Sequence, residues 1–276
     1  MRRTPRKNRV RAGVALGVTT LTDRSIAALR AHHDRLTAWV GGLTDEQLAG
    51  PSGASEWTIA QVLSHLGSGS EIMLGPVRAA ANGTEVGAAD NQAVWDRWDS
   101  ASPRAQADGF VEHDARLLAV LEGLSDSQRT SLRIDLGFLP EPAPLSVALG
   151  MRLNEIALHS WDALVGVDRD AEVDADAAAV MFDHFADGVG FLLGFVAKPE
   201  RLDRPAVVAI GAHSLVVEGA ASVRSGTEGA TATFTGPPGA ALRLIGGRLD
   251  AEHTPRGVEI TGNVSLDDAR AVFPGY

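Results

Sequence analysis

The 276-residue chain contains no cysteine, a single tyrosine and only 5% aromatic residues. The lack of cysteine excludes disulfides, thiolate zinc sites, iron–sulfur clusters and a protein thiol nucleophile. Any thiol chemistry must therefore come from a small molecule. So few rings leave little for base stacking, and a formal net charge of -10 repels phosphate backbones, which excludes nucleic acid as a partner. No stretch reaches the roughly 20 continuous apolar residues that span a bilayer. No membrane partner is expected, and the body of the protein is expected to be cytoplasmic.

What remains is the composition of a folded globular protein, with 45% hydrophobic and 22% charged residues. The length suits one large domain or two ordinary ones. Arg2, Arg3, Arg6, Lys7, Arg9 and Arg11 all precede the first acid, Asp23, and a short apolar run from Ala12 to Val18 follows them. This has the outline of an export signal, with Arg2-Arg3 as a twin-arginine pair. Two glycines interrupt the run, however, and no small-x-small cleavage site follows it. A disordered basic leader over residues 1–20 is the expectation.

Beyond the leader the apolar periodicity is helical. Ile26, Ala27, Leu29, Leu36 and Val40 predict a helix from Asp23 to about Val40, with Thr22 or Asp23 as its N-cap. Thr58 and Gln61 have capping-box spacing, and Ile59, Val62, Leu63 and Leu66 give the second helix an apolar face. A third helical region runs from about Ala89 to Leu124, with Pro103 opening its second part. After Pro140, Pro142 and Pro144, a fourth helix is predicted over Leu145–Leu164 and a fifth over Asp174–Val196. Past Lys198-Pro199 the texture changes. Val207–Ile210, Leu215–Val217, Ala230–Phe234 and Gly257–Ile260 read as strands, with helices over Pro238–Gly247 and Ser265–Val272. The fold class is α+β, with a helical bundle over 21–198 and a small α+β domain over 199–276.

Most histidines read as surface or hydrogen-bonded core groups: His32 and His33 lie on the amphipathic first helix, His113 follows Glu112 on a charged one, and His184, His213 and His253 have no paired spacing. The fourth helix is different. Leu145, Leu149, Leu153, Ile156 and Ala163 share one face, and Arg152, Glu155, His159 and Asp162 fall along its edge. Burying such a stripe unpartnered is costly, so these groups require a metal, one another, or a water-filled pocket. Glu155 and His159 stand one turn apart and can reach one cation. A tetrahedral zinc site needs a further ligand. His65 is the candidate, flanking the apolar face of the second helix with Gly67 and Gly69 leaving space beside it. Two histidines and a glutamate leave one position open, as catalytic zinc requires. The competing reading is a buried Arg152–Glu155 ion pair with His159 bonded nearby and His65 unrelated.

The segments Trp57-Thr-Ile-Ala-Gln-Val-Leu-Ser-His65-Leu and Arg152-Leu-Asn-Glu155-Ile-Ala-Leu-His159-Ser-Trp-Asp162 resemble the mycothiol-dependent maleylpyruvate isomerase family. Its helical domain is of the DinB-like type, a metal-binding four-helix bundle. Gly239-Ala-Ala-Leu-Arg-Leu-Ile-Gly-Gly-Arg248, Gly257-Val-Glu-Ile-Thr-Gly and the ending Ala-Val-Phe-Pro-Gly-Tyr276 are similar to the sterol-carrier-like α+β domain such proteins carry. The resemblance covers about residues 20 to 276. It implies that His65, Glu155 and His159 hold a divalent metal, zinc by preference. It also implies an arginine of the C-terminal domain near the site, which leaves Arg243, Arg248 and Arg256 as alternatives. The activity implied is zinc-assisted addition of the mycothiol thiol to a small electrophile. Addition, rotation and elimination give isomerisation, as with maleylpyruvate, whereas departure of another group gives S-transfer. Arg152, Arg243 and Arg248 are candidate clamps for a substrate carboxylate. A thiol-independent metal hydrolase would need a general base, for which Asp162 is the local candidate. A non-catalytic binding protein would instead need an apolar cavity within residues 200 to 276.

Overall fold

The computed structural model of the chain describes residues 19–87 and 90–275. The leader expected over residues 1–20 falls outside them except at its last two positions, and the expected start of the third helical region at Ala89 also falls outside. The helices of the first part are α1 (Leu21–Val40), α2 (Asp45–Leu48), α3 (Ile59–Asn82), α4 (Asn91–Asp99), α5 (Pro103–Glu122), α6 (Asp126–Ser131), α7 (Leu145–Val165), α8 (Ala175–Asp187) and α9 (Leu193–Val196). A two-stranded ribbon, β1 (Arg133–Ile134) with β2 (Ala143–Pro144), leads into α7.

Local chemistry sets the helix starts. Thr58 and Gln61 form the expected capping box at α3, each side chain accepting from the other's backbone N–H. The first helix starts two residues earlier than predicted, because Thr20 is the cap and Asp23 its reciprocal partner within the first turn. Pro103 occupies the first position of α5, where no N–H is needed. Helices α1, α3, α5 and α7 form a four-cornered bundle in which α1 and α3 each pack against both α5 and α7. The predicted face of α7, Leu145, Leu149, Leu153, Ile156 and Ala163, is buried in that core.

Glycines 67 and 69 do not loosen α3 beside His65. The helix runs unbroken through both. Gly67 lets the Trp98 ring and the backbone of Phe110 approach: a Cβ there would lie 2.6 Å from Trp98 Cζ3 and 2.9 Å from Phe110 Cα. Gly69 faces the Arg152 guanidinium, 3.2 Å from where its Cβ would be.

The predicted fifth helix is two elements. The chain leaves α8 after Asp187, forms a 3-10 turn over Gly190–Leu192 and continues as α9 with its direction changed by 90°. Gly190 makes the bend possible, since a Cβ there would meet the carbonyl oxygen of Phe185 at 2.7 Å. Among the described residues no single helix is long and apolar enough to cross a membrane.

The second part is a five-stranded sheet, β3 (Ala206–Ile210), β4 (His213–Val217), β5 (Ala221–Ser225), β6 (Ala232–Thr235) and β7 (Glu259–Gly262), in spatial order β5-β4-β3-β6-β7. Only β3 and β6 are parallel, with Val208 opposite Ala232; the other pairs are antiparallel. Strand β5 escapes the apolar pattern because it is an edge strand with one buried side chain, Val223. Helix α10 (Pro238–Ile245) is buried at every position from Gly239 to Ile245 and packs on α8, and α11 (Leu266–Val272) closes the chain.

The close helix approach at Gly67 generates a stability prediction. Gly67→Ala overpacks the contact with Trp98 and Phe110 and is expected to cost about 1–3 kcal/mol, read as a lowered urea midpoint with an unchanged helical circular dichroism spectrum.

Candidate metal centre

Two turns of α7 and one of α3 carry the centre. Glu155 and His159 sit one turn apart on α7, and His65 projects from α3 across the bundle edge. One ligand atom from each of His65, Glu155 and His159 lies within 4.8 Å of the other two. His65 Nε2 is 2.9 Å from Glu155 Oε2, and His159 Nε2 is 3.6 Å from the same oxygen. Burial works to raise the Glu155 pKa, but the hydrogen bond with His65 and the charges of His159, His65 and Arg152 outweigh it, holding the carboxyl down at about 2.

His159 is fixed from behind. Its Nδ1 lies 2.8 Å from Asp162 Oδ2, off the direction of a well-aligned hydrogen bond. Burial tends to raise the Asp162 pKa, but His159 and Arg248 hold it below the usual carboxylate range. A carboxylate at this distance favours the proton on Nδ1, which leaves the Nε2 lone pair turned to the cluster. Asp162 is itself gripped by Arg248, with Nε and Nη2 donating to its two oxygens at 2.8 and 2.9 Å, while Nη1 donates to the Gly246 carbonyl at 2.8 Å. This fork joins the turn after α10 to α7.

The loop before α3 supplies the third side of the site. Gly53 N–H donates to the Asp162 carbonyl at 2.7 Å, and Ser52 Oγ donates to the Trp57 carbonyl at 2.8 Å. Glu56 adopts a left-handed backbone, φ 69°, immediately before Trp57. The Trp57 ring thereby stacks on His159, with centroids 6.0 Å apart, and leans on His65 at 5.3 Å.

The cluster opens on a cavity of about 480 Å³ between the helical and sheet parts. Its wall is formed by Trp57, His65, Glu155, His159 and Arg248 together with Phe185, Leu192, Val196, Leu242 and Ile245. The bend at Gly190 is what carries Leu192 and Val196 to this wall.

The expected stripe on α7 divides. Glu155, His159 and Asp162 serve the centre, but Arg152 turns into the bundle and pairs with Asp114 on α5, 2.9 Å from Oδ1, rather than with Glu155. Ser70 on α3 donates to the same oxygen at 2.8 Å, and His33 on α1 lies 3.0 Å from Oδ2. The Arg152–Glu155 ion pair is therefore not formed, and Arg152 is not available as a carboxylate clamp. Arg243 is also committed: it is buried, lies over the Trp161 ring at 4.8 Å and donates to the His253 carbonyl at 2.8 Å. Arg256 is exposed and does not line the cavity. Arg248 is thus the member of the trio that reaches the site. His33, His184, His213 and His253 have polar partners outside the cluster, whereas His32 Nε2 and His113 Nδ1 are buried without a hydrogen-bond partner; His184 bonds Ser25 at 2.6 Å, and burial pushes its pKa down to about 4. Sequence reasoning missed the wall residues Leu192 and Val196, for which Gly188 and Gly190 were the available signal, and assigned no task to Trp57.

A helical bundle thus brings two histidines and a carboxylate together beside a cavity and is followed by a small sheet domain. Residues 29–164, most of the helical part, belong to the mycothiol maleylpyruvate isomerase N-terminal domain family. Two uncharacterized proteins of Mycobacterium tuberculosis, from strains CDC 1551 and H37Rv, are each 28% identical over 158 residues, which is 54% of this chain and 72% of theirs. The crystal structure of the mycothiol-dependent maleylpyruvate isomerase, and that of a histidine mutant of it, superpose with a TM-score of 0.57 at 14% identity. They cover 90% of this chain and 98% of theirs.

The Asp114 network generates a prediction with a sign. Burial raises the Asp114 pKa, but His33, Arg152 and Ser70 outweigh it, so the folded value lies below the unfolded one. Its stabilisation is complete above the unfolded value of about 4 and is lost as pH falls through the folded value. Asp114→Asn strands the Arg152 charge and is expected to cost about 3–5 kcal/mol at pH 7. Urea melts of both proteins should also show a shallower acid dependence in the variant.

Proposed function

We propose that the protein is a metal-assisted, mycothiol-dependent enzyme in which His65, Glu155 and His159 hold a divalent metal, zinc by preference. Its reaction is addition of the thiol to a small electrophile, ending in isomerisation or in S-transfer. The observation that carries this reading is the convergence of two imidazoles and a carboxylate on one point of the cavity wall. The donor set fits such a metal: it is the two-histidine, one-carboxylate set of catalytic zinc, with the cavity beside it for a further ligand. Family membership supports the thiol, and a chain without cysteine supplies none of its own. A bound zinc ion would lower the pKa of an external thiol and make thiolate available at neutral pH.

The chain's own residues then have separable tasks. Asp162 orients His159 so that the Nε2 lone pair of the neutral ring faces the cluster, and Arg248 keeps Asp162 in place. Trp57 packs against both imidazoles and restrains their ring orientation. A thiol-independent hydrolase is less well supported, because both oxygens of Asp162 are engaged and its pKa is lowered, which makes it a poor base. The binding-protein reading is also disfavoured, since the cavity lies between the two parts of the chain rather than inside residues 200 to 276. A cytoplasmic setting, where small thiols stay reduced, goes with the thiol reading.

Elemental analysis of the purified protein should give about one zinc per chain, and calorimetric titration with mycothiol should show binding that needs the metal. His65→Ala and Glu155→Ala should lose the metal and keep the helical spectrum; full occupancy in both would overturn the ligand assignment. Asp162→Asn is expected to weaken metal affinity by about 10–100-fold, measured by competition with a chromogenic chelator.

A further inference from the structure

The cavity beside the metal centre is lined by both charged and apolar side chains, and their balance bears on the substrate. Its charged lining residues, among those described, are Glu155, Asp162 and Arg248. Arg248 is the cation of this set, and its charge is already matched: both Asp162 oxygens hold it, and a backbone carbonyl takes a further N–H. Arg152 and Arg243, the other arginines near α7 and α10, are buried in pairs of their own. Lys198 borders an adjoining small lobe of about 100 Å³ and is exposed, so water screens its charge. With a divalent metal in place its two charges are matched by Glu155 and the thiolate, and Arg248 is matched by Asp162, so a dianionic electrophile would add two negative charges with no counter-ion left for them. Unpaired charge in such surroundings is costly.

The apolar part of the wall is formed by Leu158, Phe185, Leu192, Val196, Leu242 and Ile245. The bent segment around Gly190 supplies two of these, and it also carries the exposed Phe191 and Phe195. We infer that the electrophile of this enzyme is an uncharged, largely apolar molecule, whose reacting carbon faces the metal centre and whose remaining part lies on this wall. The inference rests on the thiol reading above and narrows it, because a small dicarboxylate finds no free cation among these side chains.

A matched pair of cis-alkenes tests it, dimethyl maleate as the uncharged probe and maleate as the dianion. With either probe the thiolate sulfur forms a bond to one alkene carbon and the π electrons move toward the neighbouring carbonyl. The central bond rotates, and the pair returns to restore the trans double bond as the C–S bond breaks. The thiol is regenerated and nothing is oxidised or reduced. The full-length, zinc-loaded protein is assayed with mycothiol by proton NMR, and each rate is divided by the rate with mycothiol alone. Acceleration of the diester is expected to exceed that of the dianion by about tenfold or more. Leu192→Lys, at a half-buried position away from the metal ligands, is expected to reverse that preference through KM at unchanged zinc content, with Leu192→Met retaining it. Equal or greater acceleration of the dianion by the unmodified protein overturns the inference and leaves the thiol reading standing. A preference that Leu192→Lys does not move also overturns the assignment of the wall. Acceleration of neither probe by zinc-bound protein overturns the thiol reading, and this inference with it.

Discussion

The bundle is organised around a single buried carboxylate. Asp114 on α5 receives one polar group from each of the other three bundle helices: His33 from α1, Ser70 from α3 and Arg152 from α7. Hydrophobic packing alone tolerates small sliding of one helix along another, whereas a buried charge with directional partners does not. Because Arg152 and Ser70 lie close in sequence to Glu155 and His65, fixing the first two sets the height at which α3 and α7 present the second two. Gly67 and Gly69 belong to the same arrangement, since they let Trp98, Phe110 and the Arg152 guanidinium come close to α3.

A second ion pair joins the two parts of the chain. Arg248 lies in the turn after α10, and its fork closes on Asp162 of α7, behind His159. The sheet part is therefore connected to the orientation of an imidazole that it does not touch through hydrocarbon. The loop from Gly53 to Trp57 completes the enclosure by bonding to the carbonyl of the same Asp162. One aspartate thus meets the helix bundle, the sheet part and the loop, and it carries no ligand atom of the cluster itself.

Much of this was legible in the sequence because it is local. The Thr58–Gln61 capping box, Pro103 at a helix start, the apolar face of α7 and the one-turn spacing of Glu155 and His159 depend on residues a few positions apart. The convergence of His65 with that pair was anticipated as well, although it spans two helices. What was not legible depends on distant partners. Arg152 looks like a neighbour of Glu155 on a helical wheel, and only the position of α5 shows that Asp114 takes it. The choice of Arg248 over Arg243 and Arg256 needed the path of the chain after α10. The break after α8 was hidden because Met181, Phe182, Phe185, Phe191 and Leu192 keep an apolar rhythm across it, and the decisive contact is between Gly190 and the Phe185 carbonyl.

That break also separates two kinds of freedom. The cluster and its supports lie on α3, α7 and the turn carrying Arg248, all tied to the bundle by buried ion pairs that tolerate little change. Leu192 and Val196 stand instead on a short detour between the two parts, with Phe191 and Phe195 exposed beside them. Replacements there alter the surface a substrate meets without disturbing the donors or the core. A lineage carrying this fold can therefore keep its chemistry and diversify its clientele by varying a few residues of one bent segment.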